Sequence, residues 1–145
     1  MKITIRKIEE SDAAEISRLS SQLGYPTTEN RVLENIVELH QDPEYVVFVA
    51  DVGEGILAGF IHVFITRRLF LDHRAEVGGL VVDQDYRGRG IGKSLLEKSE
   101  HWAGSKDCQT ICVRSNIIRT GAKEFYLSQG YNVKKKQWVF LNDLQ

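Results

Sequence analysis

Near the middle of the chain stands the stretch Val81-Val82-Asp83-Gln84-Asp85-Tyr86-Arg87-Gly88-Arg89-Gly90-Ile91-Gly92-Lys93-Ser94. It predicts a strand that passes through a glycine-rich turn into an amphipathic helix. The first amides of a helix have no internal partners, and the helix dipole is positive at that end. Glycines also let a ligand approach the backbone without meeting a Cβ. The stretch therefore predicts a binding site for an anionic group such as a phosphate.

Two familiar phosphate-binding loops do not fit this turn. A Walker loop that ends at Gly92-Lys93-Ser94 requires glycine five positions before Gly92, where Arg87 stands. A dinucleotide-binding fingerprint that begins at Gly88 or at Gly90 requires a third glycine that the sequence lacks. These mismatches weaken the case for phosphoryl transfer by a Walker mechanism and for nicotinamide chemistry.

The rest of the chain predicts a mixed α/β domain around the turn. The apolar periodicity indicates the order β-α-α-β-β-β-α-β-α-β-β, without a repeat, a low-complexity tract or a linker. The predicted strands, about seven in all, are residues 3–5, 45–50, 56–66, 75–82, 110–113, 131–135 and 137–141. Gly78-Gly79 in the fourth of them predicts a bulge or a close approach to the backbone. We expect residues 1–145 to form one domain with helices on both faces of its sheet.

Composition and charge argue against nucleic acid, membranes and metals as partners. The 145 residues include 19 Lys plus Arg and 20 Asp plus Glu, so a net charge of -1 provides no general attraction to phosphate backbones. Residues 1–6 carry charges where a signal peptide would be apolar, and no apolar run has membrane-spanning length. Cys108 and Cys112 lack a second Cys or His pair at zinc-finger spacing. We therefore expect a cytoplasmic protein with reduced thiols and no metal.

The turn resembles the diagnostic motif of the GNAT superfamily of N-acetyltransferases. Arg87-x-x-Gly90-x-Gly92 fits the family pattern of Gln or Arg, two residues, Gly, one residue, then Gly or Ala. The resemblance follows the order of elements along nearly the whole chain, and is strongest from Glu76 to Tyr131. A second block similar to the family consists of Asn116, Ala122, Phe125, Tyr126, Gly130 and Tyr131.

This resemblance implies a fold and a cosubstrate. The implied fold is a single-domain GNAT fold, a twisted mixed sheet that splays between its fourth and fifth strands and is flanked by about four helices. The implied activity is that of an acetyl-CoA-dependent N-acetyltransferase. The amides of the turn would hold the CoA diphosphate, and the pantetheine arm would pair with the preceding strand. The implied cosubstrate-binding residues are Leu80, Val81, Val82, Arg87, Gly88, Arg89, Gly90, Ile91, Gly92, Lys93, Ser94 and Asn116.

The resemblance also implies catalytic roles, because an acetyl transfer needs a base, an oxyanion site and a proton donor. Tyr126 would protonate the departing thiolate, with a packing residue as the alternative. Glu76 would be the general base, with a solvent-facing strand residue as the alternative, and His62 is a rival base that could instead line the substrate site. A backbone amide of Leu80 or Val81 would hold the oxyanion. We expect direct transfer without an acetyl-cysteine intermediate.

The sequence leaves the acceptor amine open. In such folds the acceptor site is built from the first two helices, their loop and the closing hairpin, here residues 22–28, 62–72 and 134–140. We favour a small molecule such as an aminoglycoside-like amine or a polyamine, with a peptide or protein amine as the alternative. Two other classes are a non-catalytic acyl-CoA sensor and a nucleotide-binding switch. A homodimer is a further expectation, because the predicted last strands would have edges that can pair.

Overall fold

The computed structural model describes residues 2–116 and 121–144 of the chain. Contacts divide the chain into two compact units, Met1–Arg114 and Ser115–Gln145, so the single domain over residues 1–145 stays a prediction. Two short 3-10 turns occupy Glu10–Asp12 and Gln84–Tyr86. The first unit contains β1 (Thr4–Lys7), α1 (Ala13–Leu23), α2 (Glu29–Leu39), β2 (Tyr45–Gly53), β3 (Ile56–Arg68), β4 (Leu71–Val82), α3 (Ile91–Ser105) and β5 (Ile111–Val113), and the second contains α4 (Ala122–Ser128).

The sheet is mixed, as predicted. Its strands follow the order β1-β2-β3-β4-β5, in which the first four are antiparallel neighbours and β5 is parallel to β4. A parallel neighbour requires a crossover, which α3 provides between β4 and β5. The carboxyl end of β4 therefore leads into α3, the helix that connects β4 to β5.

The prediction of a sixth and a seventh strand, at residues 131–135 and 137–141, is wrong, because the described residues form five strands. Residues 131–144 carry no strand assignment. A tight hairpin needs glycine or asparagine in its turn, whereas Lys134, Lys135 and Lys136 occupy this place. The following residues, Trp138 to Leu141, are all apolar, so they lack the alternation that a half-buried strand requires.

The two faces of the sheet carry different helices. Ile16 and Leu19 of α1 and Ile36 of α2 share one buried cluster with Phe60 and Val81. Gly59 faces the opposite side of the sheet because side chains alternate along a strand, and a Cβ at this position would lie 3.4 Å from Cδ1 of Leu95 in α3. Helices therefore cover both faces, as expected, and four α-helices lie in the described ranges. None of the helices described here is long and apolar enough to cross a membrane.

The predicted irregularity at Gly78-Gly79 is a β-bulge. His62 of β3 pairs with Gly79 and Val63 pairs with Val77, so Gly78 is the extra residue of β4. A Cβ on Gly78 would lie 2.8 Å from Cε1 of Phe64 and 3.2 Å from Nδ1 of His62. Aromatic side chains of β3 thus approach the backbone of β4 closely, and glycine at this point provides the room.

Candidate active site

The glycine turn, which we define as residues 87–94, joins the end of β4 to the start of α3. Gly88 and Gly90 have φ angles of 78° and 77°, a left-handed conformation that favours glycine. Gly90 is the N-cap of α3 and no side chain caps this helix, while the first bond within the helix runs from the N–H of Ser94 to the C=O of Gly90 at 3.0 Å. The predicted strand, turn and helix are therefore all present.

The glycine turn is open around Gly88 and Gly90 in the part of the chain that the structure describes. A Cβ added to Gly88 or Gly90 would meet no heavy atom of the described residues within 4 Å. Arg87, Gly88, Arg89 and Gly90 are exposed, and the first turn of α3 has no acidic residue. Lys93 adds a positive charge to this turn. A helix start with this charge and this access can receive an anion.

Asp83 fixes the end of β4 to α1. Its carboxylate accepts hydrogen bonds from Nη1 of Arg18 at 2.8 Å, from Nε2 of Gln22 at 3.4 Å and from the N–H of Asp85 at 3.1 Å. Oε1 of Gln22 in turn accepts from the N–H of Gln84 at 3.1 Å. We call Arg18, Gln22 and Asp83 the α1 clamp, because they hold the entrance to the glycine turn against α1.

The α1 clamp was missed by the sequence reasoning. Asp83 is only 4% exposed, and burial alone raises the pKa of a carboxyl group. The hydrogen bonds from the Asp85 amide and from Arg18 outweigh burial, so the pKa of Asp83 lies below its ordinary value. A charged residue that directly follows the apolar strand was the available signal, but its partners lie 61 and 65 positions away in the sequence.

The backbone of β4 becomes accessible to a ligand beyond the bulge. The β4–β5 ladder ends at the pair Val77 and Val113. The N–H of Asp83 donates to the C=O of Ala58 in β3, and peptide groups alternate in direction along an antiparallel ladder. The N–H groups of Val81 and Leu80 therefore point to opposite sides, that of Val81 towards β3 and that of Leu80 towards the side on which β5 has ended. On that side, Nε of Arg87 donates to the C=O of Val82 at 3.3 Å.

Glu76 lies on the same face of the sheet as α1 and α2. It pairs across the strands with Phe64, two residues from His62. Its Oε1 accepts from Nε of Arg114 at 3.3 Å, and its side chain is 13% exposed. No described residue donates a hydrogen bond to Oε2 of Glu76, so this oxygen can accept a proton from a substrate or a water molecule.

His62 is half-buried in an aromatic cluster. Its ring centroid lies 5.7 Å from that of Tyr45 and 5.4 Å from that of Phe64. Its Nε2 has no accessible surface and no hydrogen-bond partner among the described residues. Burial lowers the pKa of His62, because it disfavours the imidazolium form. The imidazole is therefore neutral near pH 7.

A pocket of about 300 Å³ lies between α1, α2 and the sheet. It includes residues of the loop between the two helices, Tyr25, Pro26 and Thr27, and it reaches His62 of β3. Two of the three regions expected to form an acceptor site, residues 22–28 and 62–72, therefore contribute to one cavity.

Tyr126 and Asn116 belong to the second unit, where Asn116 is exposed. The ring of Tyr126 in α4 contacts Phe125 edge-on at 5.1 Å and lies 5.8 Å from the ring of Tyr131. The roles expected for Tyr126 and Asn116 stay predictions. No group of three or more His, Cys, Asp or Glu that could hold a metal occurs in residues 2–116 and 121–144.

The profile of the Acetyltransferase (GNAT) family matches residues 10–131. The chain belongs to this family. The match includes both units of the structure and confirms the family resemblance of the glycine turn.

Individual acetyltransferases are similar to the chain in sequence or in fold. An uncharacterized N-acetyltransferase from Methanocaldococcus jannaschii is 34% identical over 67 residues, which are 45% of this chain and 30% of that protein. An aminoglycoside N(6')-acetyltransferase from Stenotrophomonas maltophilia is 26% identical over 150 residues, 98% of this chain and 94% of that protein. Among solved structures, AAC(6')-Iy in complex with the bisubstrate analogue CoA-S-monomethyl-acetylneamine has a TM-score of 0.84 at 18% identity, with 99% and 100% of the chains covered.

The half-buried His62 predicts a pH dependence of stability. Because its folded pKa lies below the ordinary value of about 6.5, the unfolded chain takes up this proton first as the pH falls. The contribution of neutral His62 to the free energy of unfolding is therefore fully present above about pH 6.5. It is lost as the pH falls towards the folded pKa, by at most about 1.4 kcal/mol per pH unit. Between pH ~7.5 and ~5, urea unfolding of His62→Gln should therefore show a smaller loss of stability than the parent protein.

The matched control is His101→Gln, because His101 is exposed on α3. This variant should keep the pH dependence of the parent. Equal slopes in the parent and in His62→Gln would contradict the account of His62.

Proposed function

We propose that the protein transfers the acetyl group of acetyl-CoA directly to a primary amine. The observation that carries the proposal is the open start of α3, which β4 and the α1 clamp hold in place. The first amides of α3, which no described side chain caps, and the nearby cationic side chains of Arg87, Arg89 and Lys93 are suited to a diphosphate. Because the chain belongs to the GNAT family, we infer that this diphosphate is that of acetyl-CoA.

The accessible edge of β4 would hold the rest of the cosubstrate. The C=O of Leu80 and the N–H of Val82 face away from β3 and can pair with the amides of the pantetheine arm. Val81 lies between them, with its own peptide groups directed towards β3. Asn116 would bind the same arm. The glycine turn would hold the diphosphate through Arg87, Gly88, Arg89, Gly90, Ile91, Gly92, Lys93 and Ser94.

The chemistry is a direct attack on a thioester. The ammonium group of the acceptor gives a proton to Glu76, and the neutral amine then forms a C–N bond to the thioester carbonyl. The N–H of Leu80 would stabilise the oxyanion, since the N–H of Val81 points towards β3. Collapse of the intermediate breaks the C–S bond, and Tyr126 would give its proton to the CoA thiolate. The extra proton on the acylated nitrogen would then pass to the Tyr126 phenolate, which leaves a neutral amide and restores the phenol.

Glu76 has better support as the base than His62. Arg114 orients one carboxylate oxygen of Glu76 and leaves the other available. Nε2 of His62 has no accessible surface, so a proton from a substrate cannot reach it without movement of its neighbours. His62 would instead line the site of the acceptor, as its position in the pocket favours.

A negative charge in the glycine turn should abolish acetyl-CoA binding. Gly92 lies in the first turn of α3, and its backbone φ is not left-handed, so a side chain there causes no backbone strain of that kind. We expect Gly92→Glu to weaken acetyl-CoA binding by at least about 100-fold in calorimetry, because its carboxylate repels the diphosphate and competes for the same amides.

Two controls separate charge from size and from folding. Gly92→Gln has nearly the same size without the charge and should retain more affinity than Gly92→Glu. Gly104→Glu lies on α3 away from the turn, with open space around the position, and should bind acetyl-CoA like the parent. Undiminished affinity in Gly92→Glu would refute the anion site.

Removal of the proposed proton donor should affect turnover and spare binding. We expect Tyr126→Phe to lower kcat by about 100-fold, with acetyl-CoA affinity within about twofold of the parent, because the ring remains and only the phenol is lost. The matched control is Tyr131→Phe, a second tyrosine of the same ring cluster. Turnover in Tyr126→Phe that equals the parent at every pH would remove Tyr126 from catalysis.

A further inference from the structure

The pocket between α1, α2 and the sheet has an uncharged lining in the described residues. Its deepest walls are apolar and buried, formed by Ile8, Ile16, Val32, Ile36 and Phe60. Its polar lining residues, Ser20, Thr27, Asn35 and His62, carry no charge near pH 7. Neither a carboxylate nor a cationic side chain is among the described residues that line it.

The carboxylates of α1 and of the end of β4 are held in ion pairs and do not line the pocket. Glu15 accepts from Nε of Arg18 at 2.7 Å and from the N–H of Leu57 at 3.0 Å, and Asp83 belongs to the α1 clamp. Oε1 of Glu76 pairs with Arg114, and Oε2 remains available for the one ammonium group that reacts. A ligand with several ammonium groups would gain a counter-charge at Glu76 for that group, while its other ammonium groups would lose water in a pocket without charged lining, which is costly.

The pocket lies beside the proposed reaction centre. His62, which lines the pocket, pairs across the strands with Gly79. Gly79 directly precedes Leu80, the proposed oxyanion donor, and Cδ2 of Leu23 in α1 is 3.4 Å from the position of a Cβ on Gly79. A substituent in the pocket could therefore belong to the same molecule that offers its amine to the thioester.

The size of the pocket indicates a compact group. A volume of about 300 Å³ is at the lower end for small-molecule sites, which span about 300–1,000 Å³. Apolar walls of this kind favour the neutral form of an amine near them, which is the form that attacks a carbonyl. The lining thus suits both recognition and deprotonation of an amine with one apolar substituent.

We propose that the acceptor is a monoamine with a compact apolar substituent, an arylalkylamine or alkylamine, and that this substituent occupies the pocket between α1 and α2. The inference rests on the proposed function, because it takes the pocket to be the site of the acceptor. It replaces the expectation of an aminoglycoside-like amine or a polyamine. It also separates this chain from the aminoglycoside acetyltransferases among its relatives.

The test compares 2-phenylethylamine with spermidine on the full chain. Calorimetry measures the binding of each amine, with and without CoA, and release of the CoA thiol from acetyl-CoA measures turnover. We expect 2-phenylethylamine to bind at least about tenfold more tightly than spermidine, and to have a higher kcat/KM by a similar or larger factor.

Neighbouring serines provide a matched pair of variants. Ser20 lines the pocket, whereas Ser21 is exposed and does not. Ser20→Leu fills part of the volume and should weaken 2-phenylethylamine binding by about tenfold, while Ser21→Leu should stay within about twofold of the parent. Both variants should bind acetyl-CoA like the parent.

The outcomes distinguish this inference from the proposed function. Tighter binding or faster acetylation of spermidine, no binding of 2-phenylethylamine, or equal effects of the two serine variants would overturn the inference and leave the transferase intact. Selective binding of 2-phenylethylamine that Ser20→Leu weakens supports the inference. If this occurs while no amine releases CoA thiol, the proposed function fails and the selectivity of the pocket stands.

Discussion

The account depends on the first amides of α3, which have no partner within the helix and no side-chain cap from the described residues. A helix start that faces solvent keeps donors available, but it can serve as a binding site only if its position is fixed. Here the α1 clamp supplies that fixation. The buried carboxylate of Asp83 ends β4, caps the following 3-10 turn through the Asp85 amide and is held by Arg18 and Gln22. Removing a partner from such a buried charge is costly, so the geometry of the turn is well determined.

The sheet contributes a second constraint. The bulge at Gly78 changes the direction of β4, and β5 is only three residues long. Together they leave the carboxyl-terminal part of β4 without a neighbour on one side in the described residues. An extended ligand can pair with such an edge as a strand would. The proposed diphosphate site and this edge are consecutive in the chain, so one elongated molecule can use both.

Local signals in the sequence predicted much of this arrangement. These signals depend on the backbone conformation of only a few consecutive residues. They are the three glycines of the turn, the apolar helix after it and Gly78-Gly79 in β4. The prediction of a closing hairpin was wrong because apolar residues and lysines alone define neither a tight turn nor an alternation of apolar and polar residues. The α1 clamp and the pair of Glu76 with Arg114 depend on residues distant in sequence, and only the fold brings them together. The absence of charge from the described lining of the pocket was unpredictable for the same reason, since this lining comes from four elements and two loops.

Family membership and substrate choice rest on different parts of the chain. The glycine turn carries the motif of the family and is the proposed cosubstrate site, whereas the loop between α1 and α2 and aromatic side chains of β3 line the pocket that we propose for the acceptor. A titration of the ¹⁵N-labelled protein with CoA, followed by amide chemical shifts, tests the central claim most directly. The account predicts that the largest shifts occur in residues 87–94. Shifts concentrated at Lys134, Lys135 and Lys136, with the glycine turn unchanged, would contradict it.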